Sequence, residues 1–184
     1  MNTYRISKYK SNDMPSIPTW TSYSDIGNTY MGKTFTLNDY IITENNYISC
    51  CANFIEKIDR STMILTNLEN YNNLGFYNYQ ILSKDETKKF IRSCLREECW
   101  GKLTSRNLSI HFGYDYYMYV CTDIPYEICK GIANQNSLNI ESRNDPYWKG
   151  RLFDCVLPNV LSFLLKLLTS IRELFETTHQ SGKG

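Results

Sequence analysis

Acid–base or nucleophilic chemistry needs a base held beside a nucleophile, with a third group to orient it. The 184-residue chain has two histidines, and one of them, His179, lies in a polar tail. Such chemistry would therefore centre on His111, with Asp115 or Glu44 as the orienting carboxylate. A paired-carboxylate site would draw on Asp25, Glu44 and Asp115, which come from three distant segments without a shared motif. The seven cysteines are irregularly spaced and include no Cys-x-x-Cys. With so few histidines a zinc site is not expected, and the thiols read as reduced, buried apolar groups. The nine glycines are scattered, and no phosphate-cradling glycine loop or Gly-x-Ser-x-Gly elbow occurs. No cofactor is expected.

The element that must position His111 is Leu108–Val120, where four of thirteen residues are Tyr. Leu108, Ile110 and Phe112 alternate with Ser109 and His111, the period of a half-buried strand. Gly113 permits a turn, and Tyr116–Val120 reads as a second strand. Alternation places Tyr117 and Tyr119 on one face and Tyr116 and Met118 on the other. His111 points away from the face that Ile110 and Phe112 bury. A strand histidine bonded to a neighbour outweighs general acid–base work. Asp115 is either a turn-former or the centre of a recognition surface.

Around this hairpin the spacing predicts several helices. Thr36-Leu-Asn-Asp39 is a capping box opening a helix over Leu37–Ile58, whose apolar stripe includes Tyr40, Ile41, Tyr47, Ile48, Cys51 and Ile55. Glu44 falls on that stripe and needs a partner, because a buried unpaired carboxylate is costly. Ser83-Lys-Asp-Glu86 is a second capping box, opening a helix from Lys84 to about Cys99 with a basic outer face and Gly101 as its stop. A short helix follows Asp123-Ile-Pro125 to about Gln135. Strands are expected at Thr62–Thr66, Phe76–Ile81, Leu103–Arg106 and Leu138–Ser142. Tyr23-Ser-Asp-Ile-Gly27 reads as a turn in which Ser24 or Asp25 bonds local backbone. The fold class is α+β: a mostly antiparallel sheet packed by several helices, with an apolar C-terminal helix over Asn159–Thr177. Residues 1–19 read as irregular and partly mobile, 20–178 as one domain, and 179–184 as a disordered tail.

Composition narrows the function classes. A net charge of +1 lacks the basic excess of a general nucleic-acid binder. The chain carries net +3 over Lys84–Arg106 and net −3 over Leu108–Tyr147. The basic helix and the aromatic hairpin thus have opposite charge, whereas an RNA-reading sheet mixes cations among its aromatics. An acidic, Tyr-rich surface suits a basic protein partner. The opening residues lack an apolar leader, and the uncharged run Cys155–Leu165 is too short to span a bilayer, so a cytoplasmic protein without membrane contact is expected.

Several strings carry a resemblance. In order they are Trp20…Tyr23-Ser-Asp-Ile-Gly27, Tyr40…Glu44-x-x-Tyr47-Ile48, Leu95-Arg-Glu97…Trp100-x-Lys102-Leu103, Ile110-His-Phe-Gly-Tyr-Asp-Tyr-Tyr-Met-Tyr119 and Asp145-Pro-Tyr147. Together the chain resembles bacterial immunity proteins of contact-dependent growth inhibition and related polymorphic toxin systems. The resemblance spans Trp20–Tyr147 and does not extend to the apolar tail beyond Trp148. It implies a non-catalytic protein that binds a cognate toxin domain, often a nuclease, over its active site. Asp25, Glu44, His111, Tyr114, Asp115, Tyr117 and Asp145 are the candidate partner-binding residues. The alternative is a small hydrolase using His111 with Asp115 or Glu44.

Overall fold

The computed structural model describes residues 1–9, 22–59, 62–113 and 117–146, all within one compact unit, Met1–Trp148. The expected C-terminal helix, the tail and the domain limit at 178 lie outside the described residues. Seven strands make the main sheet: β1 (Asn2–Ser7), β4 (Met63–Asn70), β5 (Ile81–Leu82), β6 (Cys99–Thr104), β7 (Leu108–Phe112), β8 (Met118–Thr122) and β9 (Asn139–Ser142). Their order is β5-β4-β6-β7-β8-β1-β9 and every pairing is antiparallel. A separate two-stranded ribbon joins β2 (Thr29–Tyr30) to β3 (Lys33–Thr34). Helices α1 (Leu37–Lys57), α2 (Lys84–Leu95) and α3 (Tyr126–Gln135), with a short 3-10 turn at Tyr23–Asp25, complete the described elements. This is an α+β fold, as the mixed periods predict.

Both capping boxes form. Asp39 N–H donates to Thr36 Oγ1 at 3.2 Å while Thr36 N–H donates to the Asp39 carboxylate at 3.0 Å. Ser83 and Glu86 reciprocate in the same way, with Ser83 N–H donating to Glu86 at 2.8 Å. Each box satisfies N–H groups that the first helical turn leaves open. One face of the sheet packs on the helices. Tyr4, Ile6, Leu65, Leu103, Ile110, Phe112, Met118 and Val120 meet Tyr47, Phe54, Phe90 and Ile91 in a single core. No described helix is long and apolar enough to cross a membrane.

Three expectations need correction. The first residues are not irregular: Asn2–Ser7 inserts as β1 between β8 and β9, with Tyr4 opposite Val120 and Ile6 opposite Met118, while 10–19 lie outside the described residues. Tyr4 and Ile6 are buried on the helix side, and Thr3 and Arg5 turn to the other face. Gly101 does not stop α2. That helix ends at Leu95, and Glu97 takes the left-handed conformation (φ 61°) that turns the chain into β6. Gly101 sits inside β6, where a Cβ would lie 3.0 Å from Leu65 Cδ1 and 3.1 Å from Phe90 Cζ. Finally, Phe76–Gln80 is not a strand. Phe76 tucks edge-on against Phe90 (ring centroids 5.4 Å apart), and Tyr79 has φ 67°, which no strand accommodates.

Candidate functional site

Strand alternation sets His111 on the face away from the helices, directly across from Tyr119. The two rings stack, with centroids 5.3 Å apart and planes 15° apart. Trp100 closes one side edge-on at 6.0 Å, fixed by its indole N–H, which donates to Phe112 O at 2.6 Å. Beyond β9 the ladder to β1 continues for one more rung, Arg143 N–H donating to Thr3 O at 3.3 Å, and the chain then crosses the sheet face so that Asp145 reaches His111 in β7. Asp145 Oδ1 lies 3.2 Å from His111 Nε2, and the two side chains are 3% and 2% exposed. A carboxylate paired to imidazole is the arrangement that orients a general base. Here both groups are buried: His111 stands in β7, which like β8 is buried along its whole length, and Asp145 lies in the coil after β9.

The thiol nearest in register, Cys121, lies across from Ser109 on the same face. Burial pushes its pKa up to about 11; the N-terminal amine opposes this, and Asp145 adds to it. Burial thus disfavours the thiolate, the nucleophilic form. Cys50 is pushed up to about 12 and Cys129 to about 11, each chiefly by burial. A cleft of about 690 Å³ opens beside the start of β1 and the end of β9, lined by Met1–Tyr4 and Ser142, Arg143 and Asn144; His111 and Asp145 do not line it. Among the described residues no group of His, Cys, Asp and Glu converges as a metal would require.

Tyr117 shares with Tyr119 the face opposite α1–α3, as the alternation predicts. Its ring lies 4.2 Å beneath the Arg5 guanidinium and meets Tyr9 edge-on at 6.2 Å. Arg5 also pairs with Glu141, which Arg143 approaches at 3.6 Å. Lys8 Nζ lies 4.9 Å from the centre of the Tyr9 ring. Burial lowers the Lys8 amine to about 8, with Asp25 opposing the shift. Tyr117 is therefore part of an internal ladder of cations and rings rather than a bare anchor.

Glu44 and Asp25 sit elsewhere. Glu44 projects from α1 on the helix side of the sheet, 2% exposed. It takes two bonds from Arg96, Nε at 2.7 Å and Nη2 at 3.1 Å, and one from Arg92 Nε at 3.0 Å. The carboxylate in turn raises the Arg96 pKa. Tyr23 lies 5.3 Å from Arg96 Cζ and edge-on to Tyr40 at 5.2 Å, and Tyr40 O–H donates to Leu95 O at 3.1 Å. The basic face of α2 is thus partly turned inward rather than wholly solvated. Asp25 is a turn-former: Ser22 N–H donates to Oδ2 at 2.9 Å, and Tyr30 O–H to Oδ1 at 3.4 Å.

The structure therefore gathers His111, Asp145 and Tyr117 on the face of the sheet opposite α1–α3, and places Glu44 on the other. Tyr114 and Asp115 lie outside the described residues. His111 and Glu44 do not converge: Glu44 bonds Arg92 and Arg96 on the helix side of the sheet. Sequence reasoning missed Arg5, Trp100 and the Arg92/Arg96 pair as organisers. Of these only the i, i+4 spacing of the two arginines carried a signal. No protein-family model, curated protein or solved structure matches the chain.

Proposed function

We propose that this protein is an immunity protein, a non-catalytic cytoplasmic binder that neutralises a cognate bacterial toxin domain, a nuclease, by covering its active site. The observation that carries this reading over a hydrolase is the burial of His111 and Asp145, stacked and closed in by Tyr119 and Trp100. A general base must come within hydrogen-bond reach of its substrate, and this histidine is spent on packing. The string Ile110–Tyr119, which carries most of the resemblance, contributes to the central β7–β8 pair. Glu127, exposed in the first turn of α3, leaves negative charge for a basic partner, while exposed Asp123 before it pairs with the N-terminal amine at 3.1 Å. The six described cysteines are free and buried, which suits a reducing compartment.

The test is co-expression with the protein encoded immediately upstream. Cells are expected to survive that protein only when this chain is present, and the pair is expected to co-purify. Failure to associate at micromolar concentration, or failure to protect, refutes the proposal.

A further inference from the structure

Between the end of β4 and the start of β5, the segment Glu69–Ile81 has little regular structure yet is closely tied to its neighbours. Four residues in and beside it have left-handed backbone: Asn67 (φ 53°), Asn73 (φ 51°), Gly75 (φ 76°) and Tyr79 (φ 67°). Asn and Gly adopt that conformation readily, but a bulky Tyr does so only when its surroundings compel it. Those surroundings are specific. Tyr79 N–H donates to Leu65 O at 2.7 Å, and Leu65 N–H to Gln80 O at 2.9 Å. Asn78 Oδ1 accepts from Leu68 N–H at 2.8 Å, Asn70 Oδ1 from Leu74 N–H at 3.0 Å, and Gln80 Oε1 from Tyr77 N–H at 3.3 Å. Phe76, packed on Phe90, pins the loop to the core.

This scaffold presents tyrosines and an isoleucine to solvent among exposed asparagines. Tyr77 is 61% exposed and Ile81 65% exposed, and Ile81 stands opposite Ile64 at the sheet margin. The composition, rich in Tyr and Asn with one Gly, is that of binding loops, in which Tyr gives contact area at small entropic loss and Asn supplies adaptable hydrogen bonds. From Thr62 to Leu82 the only charged residue is Glu69. Its carboxylate is oriented by Tyr71 O–H, which donates to it at 2.6 Å. A loop meant for nucleic acid would set cations among its rings, and this one has none. Strained, over-determined backbone is characteristic of segments held ready for a ligand.

We infer that Glu69–Ile81 is a pre-organised protein-docking loop, with Tyr77 and Ile81 as anchors and Glu69 facing a cation on the partner. This rests on the immunity reading, and the occupant it commits to is a basic surface of the toxin domain. None of the seven residues singled out from the sequence as partner-binding lies in this loop.

The experiment measures the affinity of the unaltered chain and of Tyr77→Ala, Ile81→Thr and Glu69→Gln for the protein encoded immediately upstream. Circular dichroism and thermal melting confirm folding, which such exposed positions should preserve. Each anchor variant is expected to weaken binding about tenfold or more, mainly through faster dissociation. Glu69→Gln is expected to lower the association rate and reduce its salt dependence. If the unaltered chain binds tightly and both anchor variants bind within twofold of it, this inference falls while the immunity reading stands. If the unaltered chain does not bind, both fall. Salt-dependent binding of single-stranded RNA that is lost in Tyr77→Ala would also overturn the choice of a protein occupant.

Discussion

The Glu44 network makes an asymmetric prediction. Arg96 gives Glu44 two bonds and has a side chain 26% exposed, whereas Arg92 gives one and is 41% exposed. Glu44 itself is 1% exposed at its side chain, so water cannot replace a partner that is removed. Removing one member of a buried ion pair destabilises by about 3–5 kcal/mol when the survivor is left uncompensated. In Arg96→Ala the remaining Arg92 compensates in part, which brings the expected loss to about 3 kcal/mol, or a fall in Tm of roughly 6–12 °C. In Arg92→Ala the bidentate Arg96 contact survives, and the loss is about 1 kcal/mol, the scale of one hydrogen bond. Equilibrium urea unfolding of both variants reads this directly, as a shift in midpoint at unchanged slope. Equal losses, or a larger loss for Arg92→Ala, would refute the assignment of Arg96 as the principal clamp.

Three further outcomes follow from the packing. Gly101→Ala should cost about 1–3 kcal/mol in thermal unfolding, because the new methyl meets Leu65 Cδ1 at 3.0 Å and Phe90 Cζ at 3.1 Å in a filled core. Lys8, lowered from an ordinary value of 10.5 to about 8 mainly by burial, binds fewer protons in the folded state across that interval. Its contribution to stability therefore rises with pH between those values and is unfavourable below them. Compared with the unaltered chain, Lys8→Met should melt higher at pH 7, and the gap should close as pH rises towards 10. Cys51 and Cys94, buried with pKa values well above the ordinary thiol range, should resist iodoacetamide at pH 7.5 in the native state and react on unfolding, as mapped by mass spectrometry.

Features written in local pattern were legible in the sequence. Both capping boxes, the 3.6-residue stripe of α1 and the alternation of Leu108–Phe112 emerged where expected, because each is decided by residues within a turn or two. Glu44 was recognisable as a buried carboxylate, but its partners were not, since nothing local says which way Arg92 and Arg96 turn. β1 was hidden because Tyr4 and Ile6 are its only helix-facing apolar residues. Its place is set by β8 and β9, more than a hundred residues away in sequence. The pairing of His111 with Asp145 was illegible for the same reason: a return of the chain across β1 creates it, and no spacing rule encodes that return. Gly101 misled because glycine serves equally as a helix stop and as a point of close approach, and here Leu65 and Phe90 demand the second.

The most direct test of the immunity reading is a titration of the upstream-encoded protein's nuclease activity with this chain. The account predicts complete loss of activity at a one-to-one ratio, with a dissociation constant in about the nanomolar range expected of a dedicated protein inhibitor. Undiminished cleavage of nucleic acid in the presence of excess chain at micromolar concentration would contradict it.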